Sequence, residues 1–330
     1  MKRFSKTSWL AFLVASLSIG CASQENKAGV AVGVQGPPVL FTSFDASKGG
    51  LPEGLVIDGM QAFVGFAPVS EVVKVDLAAG KMDAWGTLPK PVPNKGFMTG
   101  LQPAPGGGIL AALVSFAPEV QPGIYRIPAT GGAATLFAKD PEMVFPNGFA
   151  DDGAGGMFVT DSAAGAVFTL SATGQLHKWI SDPSLTGATD FCGKGVGAGF
   201  DIGANGIARV GRTLYVANND RAQVVSILIK DDGSPGEAKI LVGPDCETIG
   251  GADGLVVAPD GGLILAANRI NKLVAVSLEG KLRVIAAGPP LDFPASVVFN
   301  GGSLIATNFA LANASAGKPA QPGLIKFAAP

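Results

Sequence analysis

The sequence predicts an all-β fold, a six-bladed β-propeller. A short apolar strand that opens with a residue-glycine pair, or with Ala-Ser in the last copy, is followed by a turn and a second strand and occurs six times. The third residues of successive openings are 46, 48, 58, 48 and 42 residues apart, with no helical periodicity between them. Strand repeats of this period are typical of propellers. The openings are Pro52-Glu53-Gly54, Met98-Thr99-Gly100, Pro146-Asn147-Gly148, Ala204-Asn205-Gly206, Ala252-Asp253-Gly254 and Pro294-Ala295-Ser296.

The second strands support the same register. Each is short and apolar and follows a turn, and several of these turns contain Asp-Gly or Asn-Gly, which hairpins prefer. The 47 glycines and 24 prolines suit a fold with many tight turns, and a 47% hydrophobic composition supplies its core. The predicted second strands are residues 62–66, 109–113, 157–160, 213–217, 263–266 and 303–307.

The two ends of the repeat region are expected to close the ring. Residues 39–44 and residues 323–328 both have the apolar character of strands. If they share the last blade, no sheet edge is left free at the chain ends. The sequence therefore predicts one propeller over residues 39–330.

Residues 1–20 have the pattern of a bacterial export signal. Lys2, Arg3 and Lys6 precede an apolar stretch that is too short to span a bilayer, and small residues come directly before Cys21. This pattern is similar to a lipobox, so we expect Cys21 to be lipidated and residues 21–38 to form a tether. The protein would then be a lipoprotein anchored to the cell envelope, with the propeller in the periplasm or outside the cell. An ordinary signal peptide cleaved near Ala22 is the alternative.

The charge balance excludes one class of partner. Without the three basic residues of the signal, 21 basic side chains stand against 26 acidic ones, a net charge near −5. A weakly acidic chain without basic runs does not predict nucleic-acid binding. No later segment is long and apolar enough to cross a membrane, so membrane contact is expected only through the lipid. The sequence leaves the oligomeric state open.

Two cysteines remain after Cys21 is assigned to lipidation. Cys192 and Cys246 precede the openings of consecutive repeats, at Asn205 and Asp253, so both belong to loops on one face of the ring. Exported proteins permit disulfides. We expect a Cys192–Cys246 disulfide; two free thiols are the alternative.

The middle residue of each opening is expected to face the central channel. The six such residues are Glu53, Thr99, Asn147, Asn205, Asp253 and Ala295. Four of them carry carboxylate or amide oxygens and none is histidine or cysteine, a set that suits Ca²⁺ better than zinc or copper. The two carboxylates would neutralise a divalent cation. Ordinary turn pairs are the alternative explanation of these dipeptides.

The motifs at Glu53, Asn147, Asn205 and Asp253 resemble those of the gluconolactonase and regucalcin-like family of six-bladed propellers. The resemblance covers the chain from about Val39 onward. It implies that Glu53, Asn205 and Asp253 bind a divalent ion, usually calcium, and that Asn147 lies beside the ion and contacts water or substrate. It also implies hydrolysis of sugar lactones, aryl esters or phosphotriesters, with Asp253 as the base.

One position departs from that family. The sugar-lactone hydrolases have a substrate-binding arginine two residues before the position of Asn147, and Phe145 stands there in this chain. The change at this substrate-binding position predicts a less polar lactone or ester as the small-molecule substrate.

Other catalytic schemes lack the residues they require. The single histidine, His177, is expected at a solvated position in a late strand, which excludes paired-histidine and Ser-His-Asp mechanisms. No G-x-S-x-G motif is present. The glycine-rich stretch 192–199 fits no phosphate loop and lengthens the repeat before Asn205, where it forms either a lid or a passive loop.

Two functions remain open. The first is a calcium-dependent hydrolase of a lactone or related ester at the central channel. The second is a non-catalytic propeller, stabilised by its metal, that binds a ligand or a protein at the cell envelope.

Overall fold

The computed structural model describes residues 35–192 and 200–328, which form six sheets around a central channel. Each blade is a four-stranded antiparallel sheet, and blade 1 gains a short fifth strand that runs parallel to its outermost strand. The innermost strand of every blade lines the channel. The predicted all-β, six-bladed propeller is confirmed.

The strands, numbered in chain order, alternate with short turns. The first is β1 (Gln35–Ser43), which belongs to blade 6. Blades 1 and 2 contain β2 (Pro52–Asp58), β3 (Gln61–Phe66), β4 (Glu71–Asp76), β5 (Met82–Thr87), β6 (Gly96–Pro103), β7 (Ile109–Ser115), β8 (Gly123–Ile127), β9 (Gly132–Ala133) and β10 (Thr135–Ala138), with β9 beside β5.

The remaining blades follow the same meander from the channel outward. Blades 3 and 4 contain β11 (Pro146–Asp151), β12 (Met157–Asp161), β13 (Ala166–Leu170), β14 (Leu176–Ser181), β15 (Ala204–Val210), β16 (Thr213–Asn218), β17 (Gln223–Ile229) and β18 (Pro235–Val242). Blades 5 and 6 contain β19 (Ala252–Val257), β20 (Leu263–Ala267), β21 (Lys272–Val276), β22 (Leu282–Ala287), β23 (Pro294–Asn300), β24 (Ser303–Asn308) and β25 (Gly323–Ala328).

In the part of the chain that the structure describes, helical structure is confined to short connections. The two α-helices are α1 (Cys246–Ile249) and α2 (Leu311–Ser315), and the 3-10 segments are Ala46–Lys48, Ala67–Val69, Pro183–Leu185 and Asn268–Ile270. Within residues 35–192 and 200–328, no helix has the length and apolar character needed to span a membrane.

The ring closes through the two ends of the described chain. Strand β1 pairs antiparallel with β25, with Leu40 opposite Ile325 and Ser43 opposite Gly323. The outermost strand of blade 6 therefore comes from the N-terminal side and its other three strands from the C-terminal side. This confirms the predicted closure, although β1 begins at Gln35, ahead of the expected start at Val39.

Every innermost strand has a β-bulge at its opening pair, which is a residue-glycine pair in five blades and Ala295-Ser296 in blade 6. In blade 3, Pro146 lies opposite Asp161 and Phe149 opposite Val159, so Asn147 and Gly148 together face one residue of β12. The same two-against-one register shift occurs in all six blades. A bulge redirects the side chain at its position. The six openings are therefore one structural device repeated around the channel.

The glycine of the pair is required by space. A Cβ atom on Gly206 would lie against the carbonyl oxygen of Asp253 in the next blade, and one on Gly148 would lie against that of Asn205. Gly54, Gly100 and Gly254 face the next blade in the same way, all five within 2.6 Å. None of them has a positive φ, whereas the glycines of the hairpin turns do. The openings are thus distinct from ordinary turn pairs.

Threonines tie neighbouring blades together at two of the bulges. Thr160 accepts a hydrogen bond from the Gly148 N–H at 2.8 Å and donates to the Asn205 carbonyl at 2.6 Å. Thr307 does the same between the Ser296 N–H, at 2.8 Å, and the Glu53 carbonyl, at 3.0 Å. Because these bonds use backbone groups that the bulges leave unpaired, they also fix the main chain of Asn205 and Glu53.

The apolar core lies between the blades. Phe158 of blade 3 packs in one cluster with Leu214 of blade 4, and Val64 of blade 1 with Leu324 of blade 6. Full burial of such side chains contributes about 1.5–3 kcal/mol each. This packing holds the innermost strands in a fixed ring around the channel.

Three sequence predictions lie outside the described residues. They are the export signal 1–20 with Cys21, the first part of the tether up to residue 34, and the lid formed by the glycine-rich stretch 193–199.

Candidate metal and substrate site

The bulges place four of the predicted site residues in the wall of one cavity. Glu53, Asn147, Asn205 and Asp253 all line a channel cavity of about 500 Å³, and each is 5–7% exposed. The other two ring positions are not part of it. Thr99 donates its hydroxyl to the Pro146 carbonyl at 2.8 Å, and Ala295 packs in an apolar cluster.

The two carboxyl groups of the site are close enough to repel one another. Burial, with the neighbouring Asp253 charge, raises the pKa of Glu53 well above its ordinary value. Burial also raises the pKa of Asp253 to about 7, against the opposing effects of a hydrogen bond from Asn268 and the charge of Arg269. Two buried carboxyls in this arrangement must hold either protons or a cation.

Two side chains orient the site from neighbouring positions. Asn268 donates from Nδ2 to Oδ2 of Asp253 at 2.6 Å, and Asn147 donates from Nδ2 to Oγ of Ser162 at 3.1 Å. Ser162 in turn donates to the Ala204 carbonyl at 2.7 Å. Because the Asn147 amide donates to Ser162, its oxygen is left to act as a ligand.

The donor set fits a hard divalent cation. Glu53 Oε2 is buried without a hydrogen-bond partner, which is unfavourable for a charged oxygen unless a cation lies beside it. Two carboxylates balance the charge of Ca²⁺, and two amide oxygens complete a set of oxygen ligands. Among the described residues, no group of three or more acidic, histidine or cysteine side chains could hold a metal. The amides of Asn147 and Asn205 are therefore essential to this fit.

A second cavity, called the upper cavity below, adjoins the channel cavity. It has a volume of about 890 Å³ and shares Asn205 and Asp253 with the channel cavity. Its other polar side chains are those of Asn94, Asn219, Asn268 and Ser315. The rest of the wall is apolar. Its six phenylalanines are Phe97, Phe116, Phe145, Phe200, Phe293 and Phe309.

Phe145 is the centre of the aromatic wall. Its ring meets Phe97 edge to face at a centroid distance of 5.3 Å and Phe200 at 5.5 Å, and Phe200 continues to Phe116 at 5.2 Å. The backbone of Phe145 is fixed by its N–H, which donates to the buried Asp161 carboxylate at 2.9 Å. The position at which the sequence departs from the lactonase pattern therefore lies in the cavity wall.

The disulfide between Cys192 and Cys246 is present, with the two Cα atoms 5.4 Å apart. It joins the segment before blade 4 to helix α1, which directly precedes blade 5. This confirms the predicted pairing of the two loops and excludes the alternative of two free thiols. His177 is exposed on β14, away from both cavities, as expected.

Sequence reasoning missed Asn268, Ser162 and Phe200. One signal could have found the first two, because each lies fifteen residues after the site residue that it contacts. Fifteen residues span the first two strands of a blade and the turn between them. The residue just after the second strand therefore lies beside the start of the first strand, where the site residue is. Phe200 lies next to the insertion that lengthens the repeat before Asn205. This insertion has no counterpart in the other repeats, so the repeat pattern could not predict where Phe200 lies.

The fold and site define a class of protein: a six-bladed propeller with a buried carboxylate and amide cluster beneath an aromatic cavity. No protein-family model matches the sequence, and no curated protein does either. Among solved structures, the calcium-binding protein regucalcin from Agrobacterium tumefaciens is 18% identical, with 91% of this chain and 94% of that chain covered and a TM-score of 0.62.

Two further solved structures share the architecture. A luciferin-regenerating enzyme is 14% identical over 88% of this chain and 95% of its own, with a TM-score of 0.63. A putative gluconolactonase is 14% identical over 88% and 90%, with a TM-score of 0.60. At these identities, the similarity establishes the fold that the resemblance implied.

Proposed function

We propose that the chain is a divalent-cation-dependent hydrolase of lactones or related esters, with Ca²⁺ as its cation. The observation that carries the proposal is the pair of buried carboxyls, Glu53 and Asp253, with raised pKa values, in the wall of a cavity that adjoins a second one. The names of the structural neighbours support it, since one is a calcium-binding protein and another a putative gluconolactonase.

The residues that would hold the cation are Glu53, Asn147, Asn205 and Asp253. A bound Ca²⁺ would supply Lewis-acid polarisation of the substrate carbonyl. Glu53 would act as a ligand only, because its carboxyl lines the channel cavity and is absent from the lining of the upper one.

Asp253 would take the proton of the attacking water. Its carboxyl lines both cavities, and Asn268 engages Oδ2, which leaves Oδ1 for the proton. Burial makes an ionised Asp253 more basic than an exposed aspartate, as a general base requires. The hydrogen bond from Asn268 would keep the carboxylate turned in one direction during proton transfer.

The test is a panel of lactones and aryl esters assayed with calcium and with a chelator. We expect hydrolysis that needs the cation, and a loss of about 10²- to 10⁴-fold in Asp253→Asn at saturating calcium. Asp83→Asn is the matched control, because Asp83 is an exposed carboxylate on β5 of blade 1. Full activity in chelator, or in Asp253→Asn, would refute the proposal.

Ligand binding without turnover is the second candidate function. The observation that favours it is Phe145, which offers a ring where the lactonase pattern has a substrate-binding arginine. Binding of panel compounds with calcium present, but no hydrolysis of any of them, would support this function.

We further propose that the protein is exported and anchored by lipid at Cys21. The support is the basic and apolar pattern of residues 1–20 directly before this cysteine. Metabolic labelling with palmitate should mark the native protein and leave Cys21→Ala unlabelled. Labelling of the variant, or none of the native protein, would contradict the lipid anchor.

A further inference from the structure

The lining of the upper cavity is mostly apolar and contains few charged side chains for a site proposed to bind lactones. Asp253 is the one charged side chain in the lining that the described residues provide, and no lysine or arginine is among them. The remaining polar side chains are the amides of Asn94, Asn205, Asn219 and Asn268 and the hydroxyl of Ser315, against six phenylalanines and three prolines. A polyhydroxylated substrate would therefore leave most of its hydroxyl groups against phenylalanine and proline, without hydrogen-bond partners.

The aromatic wall offers a defined place for an apolar substituent. Four rings form a continuous series from Phe97 through Phe145 and Phe200 to Phe116. Phe145 is 3% exposed and Phe116 is 44% exposed, so the rings from Phe145 through Phe200 to Phe116 run from the buried part of the cavity to its rim. Edge-to-face contacts of this kind extend readily to one more aromatic ring.

Phe200 is held by the flanks of the insertion. Next to it, Asp201 accepts from the Thr189 N–H at 2.9 Å and from the Thr189 hydroxyl. One residue further, the Ile202 N–H donates to Asp220 at 2.7 Å, and the same carboxylate oxygen accepts from the Ala188 N–H at 3.0 Å. These bonds connect residues 188–189, before the insertion, with residues 201–202, after it. They fix the backbone beside Phe200.

The same base is connected to the proposed catalytic residue. Asp220 forms a buried ion pair with Arg269, and the residue before Arg269 is Asn268, which bonds Asp253. Asn268 and Arg269 both lie in the 3-10 segment Asn268–Ile270. The aromatic wall and the carboxylate therefore share one rigid support, and their separation is set by the fold.

We propose that Phe145 and Phe200 are specificity-determining residues that select uncharged lactones or esters carrying an aromatic or alkyl substituent. This inference rests on the proposed hydrolase function. The reacting carbonyl would lie at the Asp253 end of the cavity, and the substituent would lie among the rings. Truncating Phe200 should therefore lower kcat/KM more for a substrate that carries the substituent than for one that lacks it.

The test compares γ-phenyl-γ-butyrolactone with γ-butyrolactone and glucono-δ-lactone, in the native protein, Phe200→Ala and the milder Phe200→Leu. We expect kcat/KM to favour the phenyl lactone by at least about tenfold, and this preference to fall by a similar factor in Phe200→Ala. Phe63→Ala is the matched control, because Phe63 packs edge to face on Trp85 outside both cavities. An unchanged preference in both Phe200 variants would overturn the inference and leave the proposed function standing.

A binding measurement keeps the inference testable without turnover. 3-Phenylcyclopentanone, which cannot be hydrolysed, should bind the native protein at least about tenfold more tightly than cyclopentanone, and Phe200→Ala should remove most of this difference. If no lactone or ester is hydrolysed, the proposed function fails, and this pair still decides the role of Phe200. Equal affinity for both ketones in the native protein would overturn the inference.

Discussion

Asn268 donates a hydrogen bond from Nδ2 to Oδ2 of Asp253 over 2.6 Å, and its own Oδ1 is buried without a partner. The bond fixes the direction of the carboxylate and lowers the pKa of Asp253 against the larger effect of burial. Asn268 is therefore a positioning residue for the proposed base.

Removal of this bond should alter both rate and pH profile. For a substrate that the native protein hydrolyses, we expect Asn268→Leu to lower kcat by tenfold or more and to move the acidic limb of the pH–rate profile upward, because the ionised form of Asp253 loses a donor. Asn300→Ala is the control, since the Asn300 amide bonds a surface carbonyl at 3.0 Å. If the rate of Asn268→Leu is lower but its pH–rate profile is unchanged, Asn268 has only a structural role.

The metal-free protein should lose stability as pH rises. The folded state holds protons on Glu53 and Asp253 that the unfolded chain releases, since the pKa of Asp253 is raised from 3.8 to about 7. The stability that these groups contribute is present at pH 4 and falls toward pH 7, at up to about 1.4 kcal/mol per pH unit for each group. Calcium should remove the loss, so it should stabilise more at pH 8 than at pH 5.

Urea unfolding at pH 5 and pH 8, with calcium and with chelator, measures this effect. The double variant Glu53→Gln, Asp253→Asn is the control, and it should lack both the pH trend and the calcium effect. Equal stabilisation by calcium in the native protein and in this variant would contradict the assignment of the two carboxyls.

Gly206→Ala should destabilise the ring through a backbone clash. The added Cβ would meet the Asp253 carbonyl, which belongs to the channel strand of blade 5 and has little room to move. Overpacking of this kind costs roughly 1–3 kcal/mol. Ser296→Ala keeps the Cβ already present at the equivalent position of blade 6, so it should change the free energy of unfolding little. Denaturant titrations that show equal stability for the two variants would refute the spatial explanation.

Replacement of both Cys192 and Cys246 by serine should lower stability. The disulfide closes a loop with a sequence separation of 54, and loss of such a link costs roughly 2–4 kcal/mol. Denaturant unfolding of the double variant and of the native protein in reductant should give the same reduced value. If the native protein is equally stable in oxidant and in reductant, the disulfide contributes nothing to folding.

Much of the fold could be predicted because its determinants are local. Gly301 and its counterparts adopt the positive φ that hairpin turns require, and the repeated residue-glycine openings, such as Asn205-Gly206, set the register of the channel strands. The closure by β1 followed from the need to remove free edges. The repeat also places one residue of every blade at the same bulge position. Glu53, Asn147, Asn205 and Asp253 could therefore be singled out as the residues at these positions that carry carboxylate or amide oxygens.

The rest of the site depends on contacts between distant segments. Phe200 meets Phe116 of the segment after β7 and Phe145 of the segment before β11, and neither spacing recurs in the repeat. The Asp220–Arg269 ion pair joins blades 4 and 5 across 49 residues, outside any local pattern. These contacts depend on how neighbouring blades pack against each other. No local motif in a single sequence indicates them.

Calorimetric titration of the chelator-treated protein with Ca²⁺ tests the central claim most directly. The native protein should bind one ion, and Glu53→Gln, which keeps the shape of the side chain but removes one ligand charge, should bind it at least about tenfold more weakly. Glu71→Gln, at an exposed glutamate of β4, should bind as the native protein does. Absence of calcium binding by the native protein, or equal binding by Glu53→Gln, would contradict a metal centre at the upper end of the channel.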